Sequence, residues 1–228
     1  MWRWPRTKLF RDRYEAGRLL GERLIHYRHE TPVIFALPRG GVPVGFEISH
    51  LLHAPLDVFI ARKLGAPNQP ELGIGAVAQG GTRVLNERII AWLDIPKDYL
   101  ELVTRREEAE VERRSKLLRG DRPALEISER TVILVDDGLA TGVTARAAVA
   151  AIRERGPKRL VLAIPVCAER TAALLRPAVD ELVSLETPTD LDAIGFWYED
   201  FEQIPDAVVV ELLQTAHREH VRLDPESP

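Results

Sequence analysis

Thr131-Val132-Ile133-Leu134-Val135-Asp136-Asp137-Gly138-Leu139-Ala140-Thr141-Gly142-Val143-Thr144 carries a β-branched apolar run into two adjacent carboxylates, through a short Gly/Thr turn, and on into the alanine-rich Ala145–Ile152. The spacing predicts a buried strand, a tight loop and a helix N-terminus. In such a loop the N–H groups of Thr141, Gly142, Val143 and Thr144 point outward at the positive end of the helix dipole, where an anion fits. The two threonine hydroxyls add donors, and Gly142 lets the backbone come close to a phosphate. Asp136 and Asp137 only accept hydrogen bonds, so they suit hydroxyls or hydrated Mg²⁺ and not phosphate oxygens. Together these features describe a ribose 5-phosphate site; taken as an isolated pattern, the stretch also fits a generic doubly wound unit.

The order of apolar strand, acid-acid-x-x-x-Thr-Gly-x-Thr and helix resembles the phosphoribosyl pyrophosphate (PRPP) motif of the type I phosphoribosyltransferases. The resemblance implies that Asp136 and Asp137 hold the ribose hydroxyls and that Ala140, Thr141, Gly142, Val143 and Thr144 hold the 5-phosphate. It also implies a fold: an open, mainly parallel, doubly wound α/β sheet with a small hood and a hairpin flap.

Working outward, Val33–Leu37 reads as a second buried strand, followed by Pro38-Arg39-Gly40-Gly41 and a helix through Leu52. Two glycines after an arginine turn successive N–H groups toward one point, with a guanidinium beside them. Alone the triplet is a plain turn. About a hundred residues before the acid pair it resembles the family's pyrophosphate loop, which often carries a cis peptide before a non-proline residue. Leu56–Ala61 reads as a further strand ended by Arg62-Lys63, a pair similar to the one that begins the family's mobile loop. Ala66 stands where those members carry a further lysine, so Lys63 is carried over for pyrophosphate and catalysis, Arg62 less so; the pair is otherwise a solvated strand edge.

Residues 64–71 read as a Gly/Pro-punctuated loop able to hinge, and Gly73–Ala78 with Thr82–Leu85 as a hairpin joined by Gln79-Gly80-Gly81. The stretch from Ala61 to Ala78 also resembles a bacterial subgroup of phosphoribosyltransferases without a settled acceptor. Tyr99–Leu118 is a charge-dense helix, either solvated with salt pairs along it or offering its Leu100–Val111 face to a second copy in a homodimer. Strands at Arg159–Cys167 and Val179–Leu185 and a helix at Glu169–Leu175 complete the alternation that implies a parallel sheet.

Leu191–Phe201 is the richest aromatic cluster. It is similar to the hood of hypoxanthine-type members, with Glu199 falling on the metal-site acid beside Asp136 and Asp137. Alternatively, its aromatics pack a C-terminal helix, Asp206–His217, against the core. Asp12 is a candidate N-cap for a helix through about His29, while Arg3, Arg6, Lys8, Arg11 and Arg13 read as a solvated basic arm, with phosphate contact the sharper option. One domain is expected over 1–228, with a core at about 30–186, a flap at 64–86, a hood at 187–205 and a disordered tail at 222–228.

The 228-residue chain has a formal net charge of −4, which provides no basic field for nucleic acid or an anionic membrane. The amino terminus has no signal-like apolar core and no run approaches spanning length, so a cytoplasmic protein is expected. Its single cysteine, Cys167, lies in an apolar run and reads as structural.

The resemblance implies transfer of 5-phosphoribosyl from PRPP, with Mg²⁺, to a nucleobase or amine, releasing pyrophosphate, and no enzyme nucleophile. Arg39, Gly40 and Gly41 would hold the pyrophosphate with Lys63. Ala140 replaces the aspartate that 6-oxopurine-type members use to manage the purine proton, which disfavours such an acceptor. A regulator that binds PRPP or nucleotide without turnover is the alternative, and hydrolysis without an acceptor a further one.

Overall fold

The computed structural model describes residues 9–223. Five strands, β1 (Val33–Ala36), β2 (Leu56–Val58), β6 (Thr131–Val135), β7 (Arg159–Val166) and β8 (Glu181–Glu186), form a wholly parallel sheet in the order β2-β1-β6-β7-β8. Strands β1 and β6 at its centre are buried on both faces, as their unbroken apolar runs require. Ile34, Ala36, Ile133 and Val135 point into one core with α1 (Arg13–Leu24), α2 (Gly41–Leu52) and α7 (Asp206–Leu223). Val33, Phe35, Val132 and Leu134 point into the other with α5 (Val143–Glu154) and α6 (Glu169–Leu175).

The connections after β1 and β6 therefore leave toward opposite faces, and the loops between them part at the carboxyl end of the sheet. That is the switch point at which doubly wound sheets take ligands. Alanines at 145, 147, 148 and 151 let α5 sit close on the sheet. Asp12 caps α1 as expected, its Oδ1 accepting the Glu15 N–H at 2.8 Å.

The flap differs from its reading. Ala61–Ala66 is a strand, β3, paired antiparallel with β4 (Gln69–Ala78), which pairs in turn with β5 (Arg83–Leu85). The expected hinge loop shrinks to Pro67-Asn68, with Asn68 at φ 59°, because Leu64 and Ala66 are buried and carry the segment into the core. The Gln79-Gly80-Gly81 turn stands as read, with both glycines at positive φ. Arg62-Lys63 thus lies inside the flap and does not end β2.

After α3 (Glu87–Trp92), α4 spans Lys97–Arg119. On its Leu100–Val111 face, Val111 is buried in the α2-side core and Leu100 packs against that core. Helix α7 runs to Leu223, so the expected tail loses its first two residues to it, and 224–228 lie outside the described residues, as do Arg3, Arg6 and Lys8. Among the described residues no helix is long and apolar enough to cross a membrane.

Candidate functional site

The loop from Asp136 to Gly142 is fastened on the β7 side. Leu139 donates its N–H to the Val166 carbonyl and accepts from the Ala168 N–H, both at 2.9 Å, and the Thr171 hydroxyl donates to the Ala140 carbonyl at 2.6 Å. Gly142 turns into α5 at φ +67°, and the Arg146 N–H reaches its carbonyl at 2.9 Å, the first bond of the helix. Among the described residues, no protein acceptor takes the N–H groups of Thr141, Gly142, Val143 or Thr144. Thr141, Val143 and Thr144 are exposed around the buried Gly142. This is the donor cradle the sequence predicts.

Opposite it, the loop after β1 packs directly on the acid pair. The Pro38–Arg39 peptide is cis, matching the family resemblance. A methyl group on Gly41 would lie 2.8 Å from the Val135 carbonyl oxygen and 2.9 Å from Asp136 Cα. Arg39 is partly exposed, its Nη1 4.0 Å from Asp206 Oδ1 at the start of α7.

Burial, reinforced by the charge of Asp137, holds the Asp136 carboxyl well above the usual carboxylate range. Its Oδ1 accepts the Asp137 N–H at 2.9 Å. Burial also lifts Asp137, but there Arg13 pulls the other way. Arg13 is buried, and its Nε donates to Asp137 Oδ2 at 2.7 Å while Nη1 donates to the Glu202 carbonyl at 2.9 Å. The expectation of a solvated arm is therefore overturned at Arg13. The buried positions of α1 are 13, 16, 17, 20, 21 and 24. That 3.6-residue stripe begins at Arg13 and is the signal in the sequence that marks it.

Lys63 and Arg62 separate. Arg62 Nε reaches Glu107 Oε2 on α4 at 2.9 Å, which ties the flap to that helix. Lys63 is half-buried, and its stem shares Gly73 with the first residue of α5: a methyl on Gly73 would lie 3.5 Å from Lys63 Cγ and Cδ and 3.8 Å from Val143 Cγ1. The flap so brings Lys63 to the side of the cradle.

The hood aromatics do not pack the C-terminal helix against the core. Tyr198 stacks on Phe201 at 5.0 Å between ring centroids and meets Phe10 at 5.3 Å, so the aromatics grip the N-terminal segment and not α7. The Tyr198 hydroxyl donates to the Asp137 carbonyl at 2.6 Å, and burial keeps that phenol protonated. A methyl on Gly138 would collide with the Ile194 side chain, which shows how closely the hood covers the loop. Nothing local in the sequence marks which surface Phe10, Tyr198 and Phe201 will cover.

Glu199 is exposed, with its N–H donated to the Phe10 carbonyl at 2.8 Å. Among the described residues no group of three His, Cys, Asp or Glu side chains is arranged to hold a metal. Asp136, Asp137 and Glu199 therefore do not stand together as such a group of three. Cys167 is fully buried, its thiol pushed up to about 11 by burial, as a structural cysteine should be.

The chain is 42% identical over 212 residues to Rv0571c of Mycobacterium tuberculosis strain H37Rv, provisionally named a phosphoribosyl transferase, and to its counterpart MT0597 in strain CDC 1551. Those alignments cover 93% of this chain and 48% of the relatives, so the chain spans about half the length of the curated relatives it matches. The crystal structure of TT1426 from Thermus thermophilus superposes with a TM-score of 0.82 at 39% identity, covering 90% of this chain and 98% of that one. The "Phosphoribosyl transferase domain" family matches residues 12–199, a span that opens at the cap of α1, takes in both loops, the flap and the acid pair, and closes at Glu199 in the hood. The chain belongs to that family.

Proposed function

We propose that the chain transfers the 5-phosphoribosyl group of PRPP to a nucleobase or amine acceptor and releases pyrophosphate. The observation that carries this reading is a pairing at the sheet's switch point: two adjacent carboxylates beside four N–H groups that, among the described residues, have no protein acceptor. The N–H groups would bind the 5-phosphate, Asp136 and Asp137 would orient the ribose hydroxyls, and Arg39, Gly40, Gly41 and Lys63 would face the pyrophosphate.

Two part-buried carboxyls, of which only Asp137 is paired with an arginine, leave a region short of positive charge, which suits a hydrated Mg²⁺ held through one or two carboxylates and the substrate's own phosphates. When bound, Mg²⁺ would offset the charge on the departing pyrophosphate. The chain contributes alignment and exclusion of water and needs no nucleophile of its own. Ala140 has no proton to exchange with a base, which still disfavours a 6-oxopurine.

The test is pyrophosphate release from PRPP and Mg²⁺ across a panel of bases and amines. Release that depends on one acceptor supports transfer. PRPP bound tightly with no release for any acceptor favours the regulatory alternative, release without an acceptor favours hydrolysis, and no binding of PRPP removes all three.

A further inference from the structure

Arg13 reaches the acid pair from α1, 124 positions before Asp137 in the chain, and lies outside every motif that describes the crevice. Its guanidinium is fixed on several sides. Nε holds Asp137 Oδ2, Nη1 holds the Glu202 carbonyl, and the planar group lies 3.8 Å above the Phe201 ring. Phe201 stacks on Tyr198, whose hydroxyl returns to the Asp137 carbonyl. Behind the carboxylate stands Gly40, where even a methyl group would collide with Oδ2. Asp137 is therefore clamped at its N–H by its neighbour Asp136, and at its carbonyl and its carboxylate by two distant parts of the chain, the hood and α1.

Fold stability is a poor reason for this arrangement. Buried ion pairs are commonly no more stable than apolar residues of the same volume, because the desolvation of both charges offsets their attraction. A carboxylate set in one orientation is a different gain. Its hydrogen bonds to hydroxyls are directional and charge-assisted, and of about four acceptor sites Arg13 takes only one.

We propose that Arg13 is a positioning residue for sugar recognition: acting through Asp137, it aims that carboxylate at the ribose 2-hydroxyl and makes α1 and the hood part of the grip. The proposal rests on the reading of this crevice as a ribose 5-phosphate site. It is a role for a side chain that touches the aspartate and not the substrate.

The experiment compares binding of ribose 5-phosphate and 2-deoxyribose 5-phosphate by calorimetry to the wild type, Arg13→Met and Arg13→Lys, each first checked for a cooperative thermal transition. The wild type should prefer the ribose form, and Arg13→Met should lose about tenfold or more of its affinity for that form while its affinity for the 2-deoxy form changes little. Arg13→Lys, which keeps the charge without the second arm, should fall between the two. If Arg13→Met does not fold, Arg13→Lys decides alone: a reduced preference supports the proposal. A preference retained in full by a folded variant, or equal losses for both sugars, would overturn it. A wild type that binds neither sugar would instead overturn the reading of the crevice itself.

Discussion

Gly142 holds the cradle's geometry in a single dihedral. At φ +67° an L side chain is strained, and a methyl there would lie 2.6 Å from Thr171 Cγ2. Thr171 cannot rotate away without giving up its hydrogen bond to the Ala140 carbonyl. Gly142→Ala is expected to destabilise the protein by about 2–4 kcal/mol, combining left-handed strain with overpacking. Urea unfolding would measure that loss, and calorimetry with PRPP should show the 5-phosphate bound more weakly.

Residues whose role is set by their own neighbours are legible in this way: the acid pair, the Thr-Gly-Val-Thr turn and the buried Cys167 all stand where local pattern puts them. The α1 stripe marks Arg13 as buried but not its partner: Arg13 lies 124 positions from Asp137 and 188 from Phe201, Tyr198 lies 61 from Asp137, and only the folded chain brings them together.

Among the elements, the flap and α4 show why patterns mislead. Gly and Pro in residues 64–71 suggest a loop, yet antiparallel pairing with β4 and burial of Leu64 outweigh local propensity. The dense charge of α4 suggests a solvated rod, but Glu107 is buried beside Arg62, and Arg119 at its far end holds the buried Asp57 at 2.8 Å. That second pair ties α4 to β2 at the sheet edge, and burial lifts the Asp57 carboxyl despite the arginine. Removing one partner leaves an uncompensated buried charge. Arg119→Met should therefore cost about 3–5 kcal/mol, and Asp57→Leu combined with Arg119→Met should recover most of it. Chemical denaturation of the two variants would decide the matter. Unchanged stability in the single variant would mean that the pair contributes nothing.

For the molecule as a whole, the parallel order and the alternation of faces follow from the spacing of strands and helices, because two-sided burial leaves its mark along every central strand. The packing of the hood does not follow, because its partner is the segment before α1. A ligand that binds only the folded chain should stabilise it by mass action. PRPP with Mg²⁺ at about a hundred times its dissociation constant should add about 2.7 kcal/mol. In a chain of this size that raises the melting temperature by about 5–10 °C. Differential scanning calorimetry checks this, and inorganic phosphate at the same concentration should raise it far less.

The parting of the β1 and β6 connections toward opposite faces has an evolutionary corollary. The gap it leaves is a property of the winding, whereas the cover over it comes from a stretch some sixty residues downstream. The crevice and its cover are thereby written in separate parts of the gene. Mutation can redraft the second without erasing the first.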